Sequence, residues 1–324
     1  MRRLLPALSL SAGAGLMVLP SSSPALSIQE ALLRAKPAVA LVSAEVAATA
    51  RVNCGQSLVT VSPRPYIEAG TAWFVDGRGF LVTNAHVVDP AYRLPPWVTH
   101  DLKQGAIEEG CVKPALRARG VAPGQRPELE EEIRRAIPPA AAKLTTTRHV
   151  RVLLSNGADL DARVVKFSAP ITLDATGKPL PDSGRDLALL RIAEGAYPAL
   201  ALTDRAPKVG DSVHILGYPI VVLEHELLSR SARTEATVTN GQVSGFNADA
   251  LGQEVIQTDA AAAHGNSGGP AVADDASVIG VMAFISLQGT AELQGFNFFI
   301  PAKAVRAFLA GTGVKPGESR FDPV

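Results

Sequence analysis

The sequence lacks an excess of either charge, and metal-binding spacings are absent. Its 324 residues contain 31 Lys plus Arg and 31 Asp plus Glu. Without a net basic field, nothing in the composition favours a nucleic acid as a partner. Neither a CxxC nor an HExxH spacing occurs, so no metal site is expected.

Long apolar runs are also missing, except at the N-terminus. Arg2 and Arg3 precede a mostly apolar stretch over residues 4–19, which is followed by the small-residue segment "SSSPALS". This order predicts a secretory signal over residues 1–27, cleaved after Ser27 or after Ala25. An uncleaved anchor is the alternative, although the run is shorter than the ~20 residues of a membrane span. We therefore expect a periplasmic or secreted protein without stable membrane insertion after cleavage.

Cysteine is rare, since Cys54 and Cys111 are the two that occur. In an exported protein such a pair is compatible with one disulfide. The sequence does not show whether their Cα atoms approach to bonding distance, so the pairing is left open.

What the chain does contain is a series of short apolar segments in a composition that is 47% hydrophobic. Stretches such as "GTAWFV", "DLALLRI" and "VIGVMAFIS" are separated by Gly, Asp, Asn and Pro. Strands of this length and density predict an all-β domain. Long helical periodicity is confined to few places, which disfavours a parallel α/β sheet.

A region over residues 89–148 interrupts this pattern and predicts a partly helical insertion. Within it, "PELEEEIRRAI" places Leu129, Ile133 and Ile137 on one helical face, with acids at its start and arginines near its end. Two further helices are predicted, one from Ile28 to just before Pro37 and one over "PAKAVRAFLAG" near the C-terminus.

The stretch "TDAAAAHGNSGGPAV" surrounds Ser267 with Gly265, Gly268 and Gly269. A tight turn alone would explain it. Two other motifs favour chemistry, because "VTNAHVV" contains His86 and "GRDLALLRI" contains Asp186. A serine hydroxyl needs a base to remove its proton, and a neutral imidazole needs a carboxylate to fix its tautomer.

Together with "VGDSVHILGYP" and "GFNFFIP", these motifs resemble the trypsin-fold serine proteases, most of all the HtrA (Deg) branch. The resemblance implies two antiparallel β-barrels within residues 28–310. The first barrel would span residues 28–200 and include the insertion at 89–148, and the second would span 201–310. Residues 311–324 would form a C-terminal tail, with no PDZ domain after it.

The resemblance also implies roles for the motif residues. His86 would be the general base, Asp186 would orient it, and Ser267 would be the nucleophile. The N–H groups of Gly265 and Ser267 would form the oxyanion hole. Four other acids could rival Asp186, but only Asp186 opens an apolar strand; the four are Asp159, Asp161, Asp174 and Asp182.

The chain departs from the HtrA pattern at His264, where these proteases usually carry proline. His264, Ala261 and Ala262 are the candidates for the substrate pocket, although a loop histidine could instead point to solvent. Ala261 stands where an acid in trypsin-like enzymes selects Arg or Lys. Cleavage after small or medium aliphatic residues is therefore expected.

The function implied by the resemblance is cofactor-free hydrolysis of unfolded or loosely structured polypeptides. A narrow-specificity processing protease and a catalytically silent binding scaffold are the alternatives. Homo-oligomer formation is left open. From its position alone, the insertion is hypothesised to be a lid or a partner-binding element.

Overall fold

A computed structural model describes residues 26–122, 124–288 and 291–320 of the chain. Most of the predicted signal, residues 1–25, lies outside this description. Ser27 is within it and caps the first helix, because its hydroxyl accepts from Glu30 N while its own N–H donates to the Glu30 carboxylate. No helix in the described ranges is both long and apolar enough to cross a membrane.

The first half of the chain forms an open antiparallel sheet shaped as a half-barrel. Its strands follow the order β6-β5-β1-β3-β4-β8-β7, and β2 pairs with β1. The bounds are β1 Val39–Asn53, β2 Leu58–Val61, β3 Tyr66–Asp76, β4 Phe80–Thr83, β5 Ala142–Leu153, β6 Asp159–Asp161, β7 Arg163–Ser168 and β8 Leu187–Arg191.

The second half forms a closed barrel in the order β10-β11-β14-β13-β12-β9. Its strands are β9 Ser212–Gly217, β10 Thr237–Ala248, β11 Glu254–Thr258, β12 Pro270–Val272, β13 Val278–Gln288 and β14 Ala291–Pro301. The predicted all-β, trypsin-like class is confirmed. The first unit is an open half-barrel where a full barrel was expected.

Seven α-helices occur in the described ranges. They are α1 Ile28–Ala35, α2 Ala85–Tyr92, α3 Pro96–Ile107, α4 Lys113–Ala118, α5 Pro127–Ala136, α6 Ile220–Leu223 and α7 Ala302–Leu309. The three predicted helices correspond to α1, α5 and α7. The short α6 and the helix that follows β4 were not predicted.

Strands β3 and β8 are buried on both faces, which explains their nearly continuous apolar sequences. Because side chains alternate along a strand, Trp73 and Val75 face the core shared with the second barrel, while Ala72 and Phe74 face the interior of the half-barrel. Helix α7 closes the shared core. The two units therefore pack through one continuous apolar layer.

The helical insertion lies between α2 and β5. Helices α3 and α4 are joined by a π-helical turn, Glu108–Val112, and α5 follows. Its predicted C-terminal limit at residue 148 was wrong, because β5 begins at Ala142 and pairs with β1 from there. The threonines of "LTTTR" are β-branched, a type that favours strands.

A disulfide attaches the insertion to the sheet. Cys54, just after β1, is bonded to Cys111 in the π-helical turn, with the Cα atoms 5.5 Å apart. Around the bond lie the buried side chains of Val52, Ile107 and Leu116, and the predicted apolar face of α5 packs against this cluster. The pairing that the sequence left open is therefore formed, and it fixes the position of the insertion.

Replacing both cysteines by serine should lower the free energy of unfolding by roughly 2–4 kcal/mol, because the bond closes a long loop in the unfolded chain. Urea unfolding of the oxidised wild type and the double variant measures this. Dithiothreitol should destabilise the wild type and leave the variant unchanged. Equal midpoints for oxidised and reduced wild type would contradict the expectation.

Candidate active site

The segment around Ser267 owes its shape to glycines in the left-handed region. Gly265 has φ +97° and Gly268 has φ +84°. A Cβ at Gly265 would overlap the carbonyl oxygen of Tyr218, and one at Gly268 would overlap that of Thr71. Both positions therefore require glycine for space as well as for backbone conformation.

A single buried threonine on β3 holds this segment in place. The Thr71 N–H donates to Ser267 O at 2.8 Å, and its hydroxyl donates to Gly265 O at 2.7 Å. The same hydroxyl accepts from Tyr218 N at 3.0 Å. Sequence analysis missed Thr71, although a polar residue within "GTAWFV" was a visible signal.

Two backbone N–H groups beside the serine are left without partners. The carbonyl of His264 accepts from Ile220 N at 2.8 Å. Because a trans peptide points its C=O and N–H in opposite directions, the N–H of Gly265 points away from Ile220. Among the hydrogen bonds of the described residues, none uses the N–H of Gly265 or of Ser267. These are donors available to a ligand.

His86 and Asp186 form a hydrogen-bonded pair on the half-barrel. His86 lies in the first turn of α2, and Asp186 directly precedes β8. The His86 Nδ1 atom is 2.7 Å from Asp186 Oδ2, and the His86 backbone N–H donates to Asp186 Oδ1 at 2.8 Å. In a neutral imidazole this contact places the proton on Nδ1 and leaves Nε2 as an acceptor.

Asn84 holds the backbone of Asp186. Its side-chain N–H donates to the Asp186 carbonyl at 2.8 Å. Asp186 has φ +55°, a conformation that Asp tolerates better than most residues. Asn84 was also missed by sequence analysis, although it is the polar residue that ends the apolar run before His86.

The electrostatic surroundings favour the protonated form of His86. Burial lowers the pKa of His86, but the charge and hydrogen bond of Asp186 raise it more, with smaller contributions from Glu68 and Asp89. The net pKa lies above 6.5. The imidazole is thus a stronger base than a free histidine.

The pair and the serine segment share one cavity of about 540 Å³. His86 and Asp186 line it from the half-barrel, while Gly265 and Ser267 line it from the barrel. Within the described ranges, no hydrogen bond joins the Ser267 hydroxyl to His86. Such bonds are often long in unliganded enzymes and tighten when substrate binds.

The cavity contains one of the three residues predicted for a substrate pocket. His264 lines the cavity, but Ala261 and Ala262 do not. Ala262 is buried in the barrel core, and the Ala261 carbonyl accepts from the Thr239 hydroxyl. The apolar residues that line the cavity from the barrel are Val255, Ala263, Met282, Ala283 and Ile300. Most of these come from distant strands, which the sequence could not bring together.

The four rival acids lie elsewhere. Asp159 and Asp161 pair with Arg151 on β5, Asp174 accepts within its own turn, and Asp182 lies 3.6 Å from Arg93. None of them lines the cavity. In the part of the chain that is described, no three His, Cys, Asp or Glu side chains gather into a possible metal site.

Comparison with known proteins now assigns the family. A model of the trypsin-like peptidase domain matches residues 70–281. The chain belongs to the trypsin-like peptidase family. It is 32% identical to serine protease HTR4 of Rattus norvegicus over 169 residues, and 35% identical to the serine protease Do-like HtrA of Lactobacillus helveticus over 164 residues.

These matches cover only part of each relative. The rat alignment includes 52% of this chain and 30% of the relative, and the Lactobacillus alignment includes 48% and 34%. A solved variant of the HtrA-type protease AlgW with tripeptide has a TM-score of 0.50 at 22% identity, covering 89% of this chain and 65% of that one. That likeness supports the fold alone.

Changing Asp186 to Asn should lower the pKa of His86, because the variant loses the charge that raises it while burial remains. Titration of the histidine ring signals by NMR measures the shift. Asp182→Asn is the matched control and should leave the pKa of His86 unchanged, since Asp182 does not contact the ring. A larger shift in the pKa of His86 for Asp182→Asn than for Asp186→Asn would show that Asp186 is not the acid paired with His86.

Proposed function

We propose that the protein is a serine endopeptidase with His86, Asp186 and Ser267 as its catalytic residues. The observation that carries this proposal is the arrangement of one cavity. A histidine paired with a carboxylate lines one side, and a serine flanked by two unused N–H groups lines the other. Acyl transfer requires these groups together.

In the proposed reaction, Ser267 Oγ attacks the carbonyl carbon of the scissile bond while His86 Nε2 takes its proton. Asp186 holds the ring and stabilises the imidazolium that forms. The N–H groups of Gly265 and Ser267 bind the oxygen that becomes negative. His86 then donates its proton to the leaving amine, and a water molecule, deprotonated by His86, hydrolyses the acyl-enzyme to restore Ser267.

Substrate class and compartment follow as further parts of the proposal. The apolar residues in the cavity suit a small or medium aliphatic side chain before the scissile bond. Unfolded or loosely structured polypeptides are the proposed substrates. The disulfide supports an oxidising compartment, the periplasm or the exterior, which agrees with the proposed signal over residues 1–27.

Because no hydrogen bond joins Ser267 to His86 among the described residues, we retain a second candidate function. In it, the protein is a catalytically silent scaffold that binds peptides in this cavity. In the enzyme, peptide binding would bring Ser267 Oγ within hydrogen-bond distance of His86 Nε2. In the scaffold, this hydrogen bond would not form and the serine would not be activated. Reaction with a covalent serine probe separates the two.

A fluorophosphonate probe should label the wild type and not Ser267→Ala, and His86→Ala should slow labelling by about 10³-fold or more. The labelling rate should rise with pH through the pKa of His86, because only the neutral ring accepts the proton. Mass spectrometry and in-gel fluorescence measure both. Equal labelling of folded wild type and Ser267→Ala would reject the enzyme and leave the scaffold.

Replacing Gly265 by Ala should lower kcat by about 10²–10³-fold, because the side chain would displace an oxyanion donor. Gly210→Ala is a matched control, since Gly210 also has a positive φ, +88°, but a Cβ there meets nothing within 4 Å. The control should lose a little stability and keep its kcat. Similar kcat losses in both variants would argue against the assigned donor.

A further inference from the structure

We propose that Trp97 and Glu68 form a binding site for a Lys or Arg side chain on the leaving-group side of the scissile bond. The inference rests on the proposed peptidase function and adds a specificity that the motifs do not contain. It also assigns the helical insertion a task, because Trp97 belongs to α3.

Both residues line the catalytic cavity itself. Glu68 and Ala69 lie on β3, and Trp97 is near the start of α3. Trp97 is 52% exposed, and its ring makes a T-shaped contact with the ring of Tyr66 at a centroid distance of 5.2 Å. An exposed aromatic side chain therefore lines the cavity that contains His86.

The carboxylate beside this ring is held in place but not neutralised. Glu68 Oε2 accepts from the Tyr66 hydroxyl at 2.8 Å. None of the ion pairs among the described residues involves Glu68 or the nearby Asp101. Burial first, and then the bond and charge of Glu68 and the charge of Asp101, raise the pKa of Tyr66. A cation placed here would compensate a negative potential.

Arg185 and Asp249 also line the cavity, and both bond backbone groups. Arg185 donates to the Glu254 carbonyl at 3.3 Å, and the Asp249 carboxylate accepts from Leu251 N and Gln253 N. They come from the segment before β8 and from the turn between β10 and β11. Glu68 is thus the carboxylate available to a substrate on the β3 side.

An aromatic ring next to an unneutralised carboxylate suits a cationic side chain. Arg and Lys bind over the face of Trp by cation–π attraction and pair with a carboxylate at the same time. Their aliphatic stems would cover the apolar ring. An acidic side chain would be repelled by the same carboxylate.

Position within the cavity determines which side of the peptide is recognised. The acyl carbonyl must lie at Ser267 and Gly265 on the barrel, while the leaving amine must lie at His86 on the half-barrel. Glu68 and Trp97 line the cavity from the half-barrel side, the wall that also carries His86. They therefore face residues after the scissile bond.

The insertion that carries Trp97 is attached to the half-barrel at two places. Val98 and Leu102 of α3 are buried in the core of the half-barrel. The disulfide attaches the far end of the same helical segment to the end of β1. A subsite built on an anchored helix loses little entropy on binding.

The test uses fluorogenic peptides that differ only at the first and second positions after the cleaved bond. Wild type should hydrolyse the peptide with Arg about fivefold faster in kcat/KM than the one with isosteric, neutral citrulline, and faster still than the one with Glu. Glu68→Gln should remove the difference between Arg and citrulline. Trp97→Ala should reduce cleavage of both. All rates are taken at a pH where His86 is neutral in each variant.

Ile67→Ala and Glu132→Gln are the controls, because one is an exposed neighbour of Glu68 on β3 and the other removes a carboxylate on α5, and neither lines the cavity. Both should keep the wild-type preference. Fluorophosphonate labelling, which involves no residue after the cleaved bond, should persist in all variants, with only a small change in rate for Glu68→Gln through the pKa of His86. Normal labelling without a preference for Arg, or with a preference for apolar residues, would overturn this inference alone. Absent labelling would overturn the peptidase itself.

Discussion

The candidate site depends on one buried threonine that joins the two β-units. Thr71 lies on β3 of the half-barrel, yet its backbone and hydroxyl bond three groups of the barrel: the carbonyls of Ser267 and Gly265 and the N–H of Tyr218. Its own carbonyl accepts from the Thr83 hydroxyl on β4. The serine segment is therefore fixed to the sheet that carries the histidine. This link fixes the position of the serine segment relative to the wall that carries His86.

The two walls of the cavity supply different chemical groups. The half-barrel supplies a proton acceptor whose pKa is raised by the Asp186 carboxylate. The His86 backbone N–H holds that carboxylate, and the Asn84 side chain holds the Asp186 backbone carbonyl. The barrel supplies backbone donors whose direction follows from the bond between His264 O and Ile220 N. Left-handed backbone and buried polar groups in these arrangements cost free energy. Burial of apolar side chains in the shared core compensates this cost. Charge can then develop in the cavity without large reorganisation.

The helical insertion adds residues to the wall that carries His86. It is tied to β1 by the disulfide and to the half-barrel core by α3, so it moves with the wall that carries His86. Its aromatic residue reaches the same cavity. A region that interrupts the strand pattern thus contributes to the lining of the candidate site, which agrees with the general tendency of elaborations on a rigid scaffold to carry specificity.

The local motifs of the sequence were sufficient for the class of fold, and they supplied the three candidate catalytic residues that line one cavity. Short strands, a serine among glycines, and a histidine and an aspartate beside apolar runs are all visible in a linear pattern. The pattern also located α1, α5 and α7. It placed the end of the insertion wrongly, because a threonine-rich strand looks much like a polar loop until its pairing with β1 is known.

Everything that depends on distant parts of the chain was decided by the tertiary structure. The sequence by itself determined which residue types can perform acyl transfer and which glycines accompany them. Only the fold placed Asp186 against His86, paired Cys54 with Cys111, lined the cavity with Met282 and Ile300 in place of Ala261 and Ala262, and brought Trp97 into the same cavity as Glu68. The physical reason is that these contacts join residues on different strands and helices, whose proximity follows from strand pairing and core packing and leaves no local trace in the sequence.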